Sequence, residues 1–308
     1  VLDYEKRNLF VSLNSIFHII NFNMENVKGE VCMNIDIKKL QRCQLHILTE
    51  IDRVCKKNNI EYFLAYGTCL GAVRHKGFIP WDDDIDLCMT ISNFEKLKRC
   101  SKDFAPNYFF QTNETDREYG LMIARVRDSE TTLIEASEAD KDINHGVFVD
   151  IYPLFSCPDN YRKQLFLIIN SMLYRLFLYG EAPQNRGAIL RIGSALLLRL
   201  VPDKIKKLIA QKTYQNMTKY DDEKYVTTLY GDELHIKYKN EWFGNGQLVQ
   251  FEDMEAPIPQ NADEYLKFTY GDYMALPPEE SRCVHHEYVL VDTENSYKIY
   301  RGEFFCKE

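Results

Sequence analysis

The chain has 308 residues, 45% of them hydrophobic, which is enough to bury one large core or two modest ones. Its 46 acidic against 38 basic side chains leave a net charge of −8, which argues against the clustered Lys and Arg that affinity for a nucleic-acid backbone requires. Nine cysteines form an odd set without a Cys-x-x-Cys pair, so neither a disulfide framework nor a zinc knuckle is indicated, and the thiols read as buried groups in a reducing cytosol.

Residues 1–33, mildly apolar from Leu9 to Ile20, read as an extension of unknown role; the sequence begins at Val1 without a methionine, and neither a secretory leader nor a run of 18 apolar residues is expected within it. From Asp36 to Asn58, Ile37, Leu40, Ile47, Leu48, Ile51, Val54 and Cys55 recur at helical spacing and predict an amphipathic helix whose role is packing. Tyr62 to Tyr66 is aromatic-rich and β-prone. Gly67 then permits a sharp turn, and Thr68 is a natural N-cap for a helix over Cys69 to His75, whose start offers N–H groups to a phosphate.

The next segment, Trp81-Asp82-Asp83-Asp84-Ile85-Asp86, reads as the entry to a strand. Alternation places Asp84 and Asp86 on one face and Ile85 and Leu87 in the core, with Asp83 opposite Asp84 if the strand already runs there. Two carboxylates on one face suit one cation. Magnesium, with manganese as the alternative ion, takes one or two carboxylates and completes its shell with water and phosphate oxygens. A polar turn entering an edge strand is the competing reading, and Gly67-Thr68 one strand upstream favours metal-assisted phosphate chemistry. Arg74, His75 and Lys76 lie between that turn and the carboxylates, placed to contact a diphosphate.

Ser92-Asn93-Phe94-Glu95 reads as a capping box opening a further helix. Strands are predicted at Tyr108 to Gln111, Leu121 to Arg127, Thr132 to Glu135 and Val147 to Tyr152. Arg125 and Arg127 alternate onto one strand face, where either could hold a phosphate bidentately or pair with the acidic core. Asp150 lies within an apolar strand, where an uncompensated charge is costly, so it should face a cation or a polar cleft, as ligand or as general base. Trp81 is a candidate aromatic wall, and 20 Tyr with 18 Phe supply material for an aromatic cage around a quaternary ammonium without locating it.

Residues 162–212 differ in kind: ten basic and two acidic side chains give a local balance of +8, so the remainder of the chain carries −16. Apolar runs such as Leu165 to Ile169 and Ala195 to Leu198 are too short and charge-interrupted to span a bilayer. A basic amphipathic helix suits an anionic membrane surface or a lipid-linked glycan; the alternative is a helical subdomain with a solvated basic face.

The run from Gly67 through Trp81-Asp82-Asp83-Asp84-Ile85-Asp86 resembles the signature of the LicD proteins, relatives of fukutin and fukutin-related protein within the nucleotidyltransferase superfamily. Looser similarity extends to Ala124–Asp128 with Thr131-Thr132, to Gly146–Leu154, and to Tyr270–Met274 with Pro277-Pro278 and His285-His286. The resemblance implies an α/β (α+β) fold. Residues 34–160 would form a nucleotidyltransferase-like mixed sheet flanked by helices, 161–215 a basic helical insert, and 216–308 a C-terminal part completing the site. It also implies magnesium-dependent transfer of a phospho-substituent from a CDP-activated donor to a glycan or lipid-linked glycan, such as a lipopolysaccharide or teichoic-acid precursor, releasing CMP. CDP-choline is the expected donor. Asp84 and Asp86 would hold the metal, Gly67 and Thr68 would cradle phosphate, Asp150 would be the third carboxylate, and Tyr273, His285 and His286 join Trp81 as candidate substrate contacts. The alternatives are a polyol-phosphate transferase using CDP-ribitol or CDP-glycerol, a nucleotidyltransferase releasing pyrophosphate, and a non-catalytic glycan- or nucleotide-binding module. The expected location is cytoplasmic, peripheral at the inner membrane face, with no nucleic-acid partner.

Overall fold

Asp36 caps helix α1 (Ile37–Lys57) by accepting from Lys39 N, and Lys56 and Lys57 sit in its last turn, where the helix dipole favours cations. Leu40, Ile47, Leu48, Ile51, Val54 and Cys55 are all buried along one stripe, each apolar side chain contributing about 1.5–3 kcal/mol on burial. A computed structural model describes residues 35–180, 188–221, 223–229, 236–284 and 286–306. The predicted extension at 1–33 lies outside the described residues.

After α1 the chain forms β1 (Phe63–Leu64), α2 (Tyr66–His75), β2 (Asp86–Thr90) and α3 (Ile91–Arg99). Strands β3 (Tyr108–Gln111), β4 (Ala124–Asp128), β5 (Thr132–Glu135) and β6 (Val147–Cys157) follow. The main sheet runs β1-β2-β6-β4-β3, with β2 and β6 parallel and the other neighbours antiparallel. β2 and β6 are buried along nearly their whole length, as central strands covered by α1 and α3 should be. Their register sets Asp86 directly opposite Asp150. This is the mixed α/β (α+β) architecture expected from the sequence.

Several boundaries differ from the sequence reading. Helix α2 begins at Tyr66, not Cys69; Thr68 lies inside its first turn and Ala65 occupies the cap position without a side-chain bond. The residue that turns the chain is Tyr66 at φ 44°, not Gly67. Helix α3 is capped by Thr90, whose Oγ1 accepts from Asn93 N, two residues before the predicted box. Strand β6 continues to Cys157 because its second half finds another partner, β7 (Tyr225–Thr227), which pairs in turn with β8 (Tyr238–Lys239).

Helices α4 (Tyr161–Tyr179), α5 (Ala188–Leu200) and α6 (Asp203–Met217) follow β6 in the chain. α4 opens on Asn160, which accepts from the N–H groups of Arg162 and Lys163, and closes on Gly180 in the left-handed region. α4 packs on α6 over a small core that includes Phe155, Leu167 and Met217. Tyr214 Oη donates to Glu95 Oε1 at 2.5 Å and fastens α6 to α3.

The C-terminal part folds back over the site. A hairpin, β9 (Gln247–Phe251) and β10 (Met254–Ile258), supplies Glu252, which accepts from Phe78 N and donates its own N–H to Lys76 O. Helix α7 (Ala262–Tyr270) packs on α2, and β11 (Tyr288–Asp292) pairs with β5 through a bulge.

Candidate active site

The acidic run is not yet a strand at Asp82–Asp84; β2 starts at Asp86. Freed from strand alternation, the three carboxylates converge, each offering an oxygen within 4.8 Å of the others. This corrects the expectation that Asp83 points away from Asp84. Among the described residues this trio, rather than Asp84, Asp86 and Asp150, meets that distance. Asp86 and Asp150 face each other one strand apart, two residues further along.

The turn is braced from behind. Gln41 Nε2 donates to Asp82 O at 2.8 Å and Gln44 Nε2 to Asp83 O at 2.7 Å, so α1 does more than pack. Thr68 is buried, and its Oγ1 accepts from Asp86 N at 2.9 Å, fixing α2 to the start of β2. A Cβ on Gly67 would lie 3.1 Å from Asp82 Oδ2, so glycine lets that carboxylate approach the first turn of α2. Tyr66 N donates to Tyr265 Oη of α7, which holds the left-handed residue in place.

Asp83 is fully buried and its Oδ2 accepts from Tyr288 Oη at 2.6 Å and from His286 Nδ1 at 3.1 Å. Burial alone would raise this carboxyl, but the two hydrogen bonds hold it below the usual range. The bond to Asp83 pulls His286 up to about 9, making it a cation at neutral pH. Its Nε2 lies 3.9 Å from Asp84 Oδ2. Asp82 and Asp84 are both pushed above the ordinary carboxylate range, chiefly by burial and then, against the opposing pull of His286, by their acidic neighbours. The site therefore concentrates more negative charge than its own residues neutralise, a setting that favours a cation.

Arg125 and Arg127 take the structural alternative. Arg125 donates to Asp150 Oδ1 (2.7 Å), Glu135 Oε2 (2.6 Å) and Glu138 Oε2 (3.0 Å), with its guanidinium 3.7 Å from the Phe148 ring centre. Arg127, wholly buried, donates to Gln111 Oε1, Gly146 O and Glu138 Oε2. The expected phosphate contact is replaced by an interior ion network, because five charged side chains on and beside β4 to β6 cannot be buried unpaired. Burial raises the Asp150 carboxyl and Arg125 partly offsets it.

The remaining predicted residues divide. Arg74 Nη1 donates to Tyr273 O and its Nε to His75 Nε2, so both help seat the C-terminal loop beside the acidic turn. Lys76 is the left-handed C-cap of α2. Trp81 lies under the Arg282 guanidinium, 5.5 Å from the ring centre. Tyr273 is nearly buried and donates to Asp263. His285 lies outside the described residues. The sequence reading missed Asp82 as a partner of Asp84, Gln41, Gln44 and Tyr288. Two signals were present: polar residues three apart on the apolar face of α1, and the period-two spacing of His286 and Tyr288.

Residues 59–172 match the family described as LicD/FKTN/FKRP, nucleotidyltransferase domain. The matched span holds α2, the acidic turn, β2, the Arg125–Asp150 network and the start of α4. Over this segment the chain is similar to the LicD family. It is also similar to "Lipopolysaccharide cholinephosphotransferase LicD" of Haemophilus influenzae, 27% identical over 263 residues, covering 82% of this chain and 96% of that protein. Uncharacterised proteins of Rickettsia prowazekii and Rickettsia typhi are each 49% identical over 41 residues, 13% of this chain and 15% and 13% of theirs. In this chain, His286 and Tyr288 reach the acidic turn from outside the matched span, delivered by the pairing of β11 with β5.

Proposed function

We propose that this chain is a phosphotransferase that moves phosphocholine from CDP-choline to a glycan acceptor and releases CMP. The observation that carries the reading is the meeting of the Asp82–Asp84 turn with the opposed Asp86–Asp150 pair beside the first turn of α2. The name of the Haemophilus relative supports choline and a lipopolysaccharide-type acceptor.

Three hard carboxylate oxygens within 4.8 Å of one another fit a magnesium or manganese ion. Asp84 would hold it with Asp82 and Asp83 beside it, and Asp86, opposite Asp150 at the start of β2, is the proposed further ligand. When bound, it supplies positive charge to the donor diphosphate and stabilises the charge that develops during transfer. The protein's own residues do the positioning. Gln41, Gln44 and Thr68 fix the backbone that carries the carboxylates, and His286 adds a cation beside Asp84. The acceptor hydroxyl oxygen attacks the phosphorus that bears choline, the bond to the bridging oxygen breaks, CMP leaves with the electron pair, and Asp150 takes the hydroxyl proton.

For choline, the aromatic faces would come from Tyr66 and Tyr152, half-buried rings that pack against the main core and stand edge-on with centres 5.3 Å apart. Tyr152 lies two residues beyond Asp150 on the same face of β6, about 7 Å along the strand. Aromatic faces attract a quaternary ammonium and gain nothing comparable from a neutral polyol. The test is product analysis with CDP-choline, magnesium and a lipopolysaccharide glycan. CMP and a phosphocholine-bearing product support the reading; pyrophosphate would mean nucleotidyl transfer, and turnover of CDP-ribitol but not CDP-choline would reverse the donor assignment.

A further inference from the structure

Eleven of the seventeen large hydrophobic residues exposed among the described residues lie on α4, α5 and α6. Single exposed apolar side chains are ordinary, but this clustering is not. On α4, Tyr161, Leu165, Ile169 and Met172 fall within one 80° arc at 100° per residue, opposite the buried Leu167, Asn170 and Ser171. On α5, Ile192, Leu196 and Leu200 repeat every four residues with exposed Arg199 beside them. On α6, Lys204, Leu208, Lys212 and Ile205 form one exposed arc, opposite the buried Thr213 and Met217. Each helix therefore packs one face inward and leaves an apolar stripe, flanked by cations, in water.

We propose that the outer faces of α4–α6 dock this chain on an anionic bilayer surface. Charge complementarity selects this occupant. The segment 162–212 carries +8 and the remainder of the chain −16, so an anionic surface attracts this part and repels the rest, which sets the orientation as well as the affinity. A second copy presenting the same face would meet like charge. No helix among the described residues is long and apolar enough to cross a membrane, so the helices would lie in the interface with their stripes at the headgroup boundary. This inference is independent of the transfer chemistry.

Flotation of the full chain with vesicles of mixed phosphatidylglycerol and phosphatidylcholine, against phosphatidylcholine alone, tests it. The chain floats with the anionic vesicles and high salt weakens the association. Lys204→Glu/Lys212→Glu and, separately, Leu196→Ser/Leu200→Ser each lower the bound fraction on the order of tenfold, with an unchanged melting temperature. Absence of flotation with anionic vesicles overturns the proposal, as does binding that survives both double variants. A dimer in light scattering that Leu196→Ser/Leu200→Ser dissolves, without any flotation, would make the face a self-contact instead.

Discussion

Arg125 Nε donates to Asp150 Oδ1 at 2.7 Å inside the protein, so the carboxylate facing Asp86 is held by a guanidinium that also grips Glu135 and Glu138. Removing the cation strands Asp150 and Glu135 in the interior, while Glu138 keeps its bond from Arg127. Arg125→Met should therefore destabilise the fold by about 3–5 kcal/mol in urea titrations. Arg125→Met/Glu135→Leu, which removes one of the stranded charges, should recover part of that loss.

Gln44 Nε2 is the donor to Asp83 O, and the residue is almost fully buried. Gln44→Leu keeps the apolar packing of α1 but leaves that carbonyl without its donor. A loss of about 1–3 kcal/mol is expected, together with reduced turnover, because the same bond fixes the acidic turn. Unchanged stability in Gln44→Leu would show that the bond does not brace the turn.

Local pattern made most of the core legible. Apolar spacing located α1, β-propensity located β3 and β5, and Asp84-Ile85-Asp86 marked the acidic entry to β2. Long-range pairing was not legible. Tyr288 reaches Asp83 across 205 positions only because β11 pairs with β5; the period-two spacing of His286 and Tyr288 puts them on one face but does not name the partner. Arg125 and Arg127 alternate like phosphate ligands and like buried ion-pair partners equally; the choice depended on Glu135 and Glu138 lying beside β4. Asp83 was misread because alternation was extended three residues upstream of the strand.

Asp83 and Tyr288 carry the next expectation. Tyr288→Phe removes the 2.6 Å hydrogen bond while keeping the ring, so stability should fall by about 1–3 kcal/mol. Asp83→Asn should also destabilise, because it withdraws the charge that holds both His286 and Tyr288. Thermal melts of the two variants and their double mutant should show strong non-additivity, as expected for contacting partners.

His145 is fully buried, and Lys141 O accepts from its Nε2–H at 3.1 Å. Its Nδ1 finds no partner, and burial pushes the imidazole down to about 4. Because the folded value lies below the unfolded value near 6.5, the unfolded chain binds the proton first. The stability tied to neutral His145 is complete above pH 6.5 and is lost as pH falls toward 4, by at most about 1.4 kcal/mol per pH unit. His145→Gln should flatten that part of the stability–pH curve measured by urea unfolding.

The central claim is that Asp84 and Asp86 perform the transfer chemistry at the acidic turn. It is tested most directly by CMP release from CDP-choline in Asp84→Asn and Asp86→Asn proteins whose melting curves match the parent. Each substitution keeps the side chain's shape and removes one negative charge, so turnover should fall by about a hundredfold or more while the fold stays intact. Near-normal turnover in either folded variant would contradict the account.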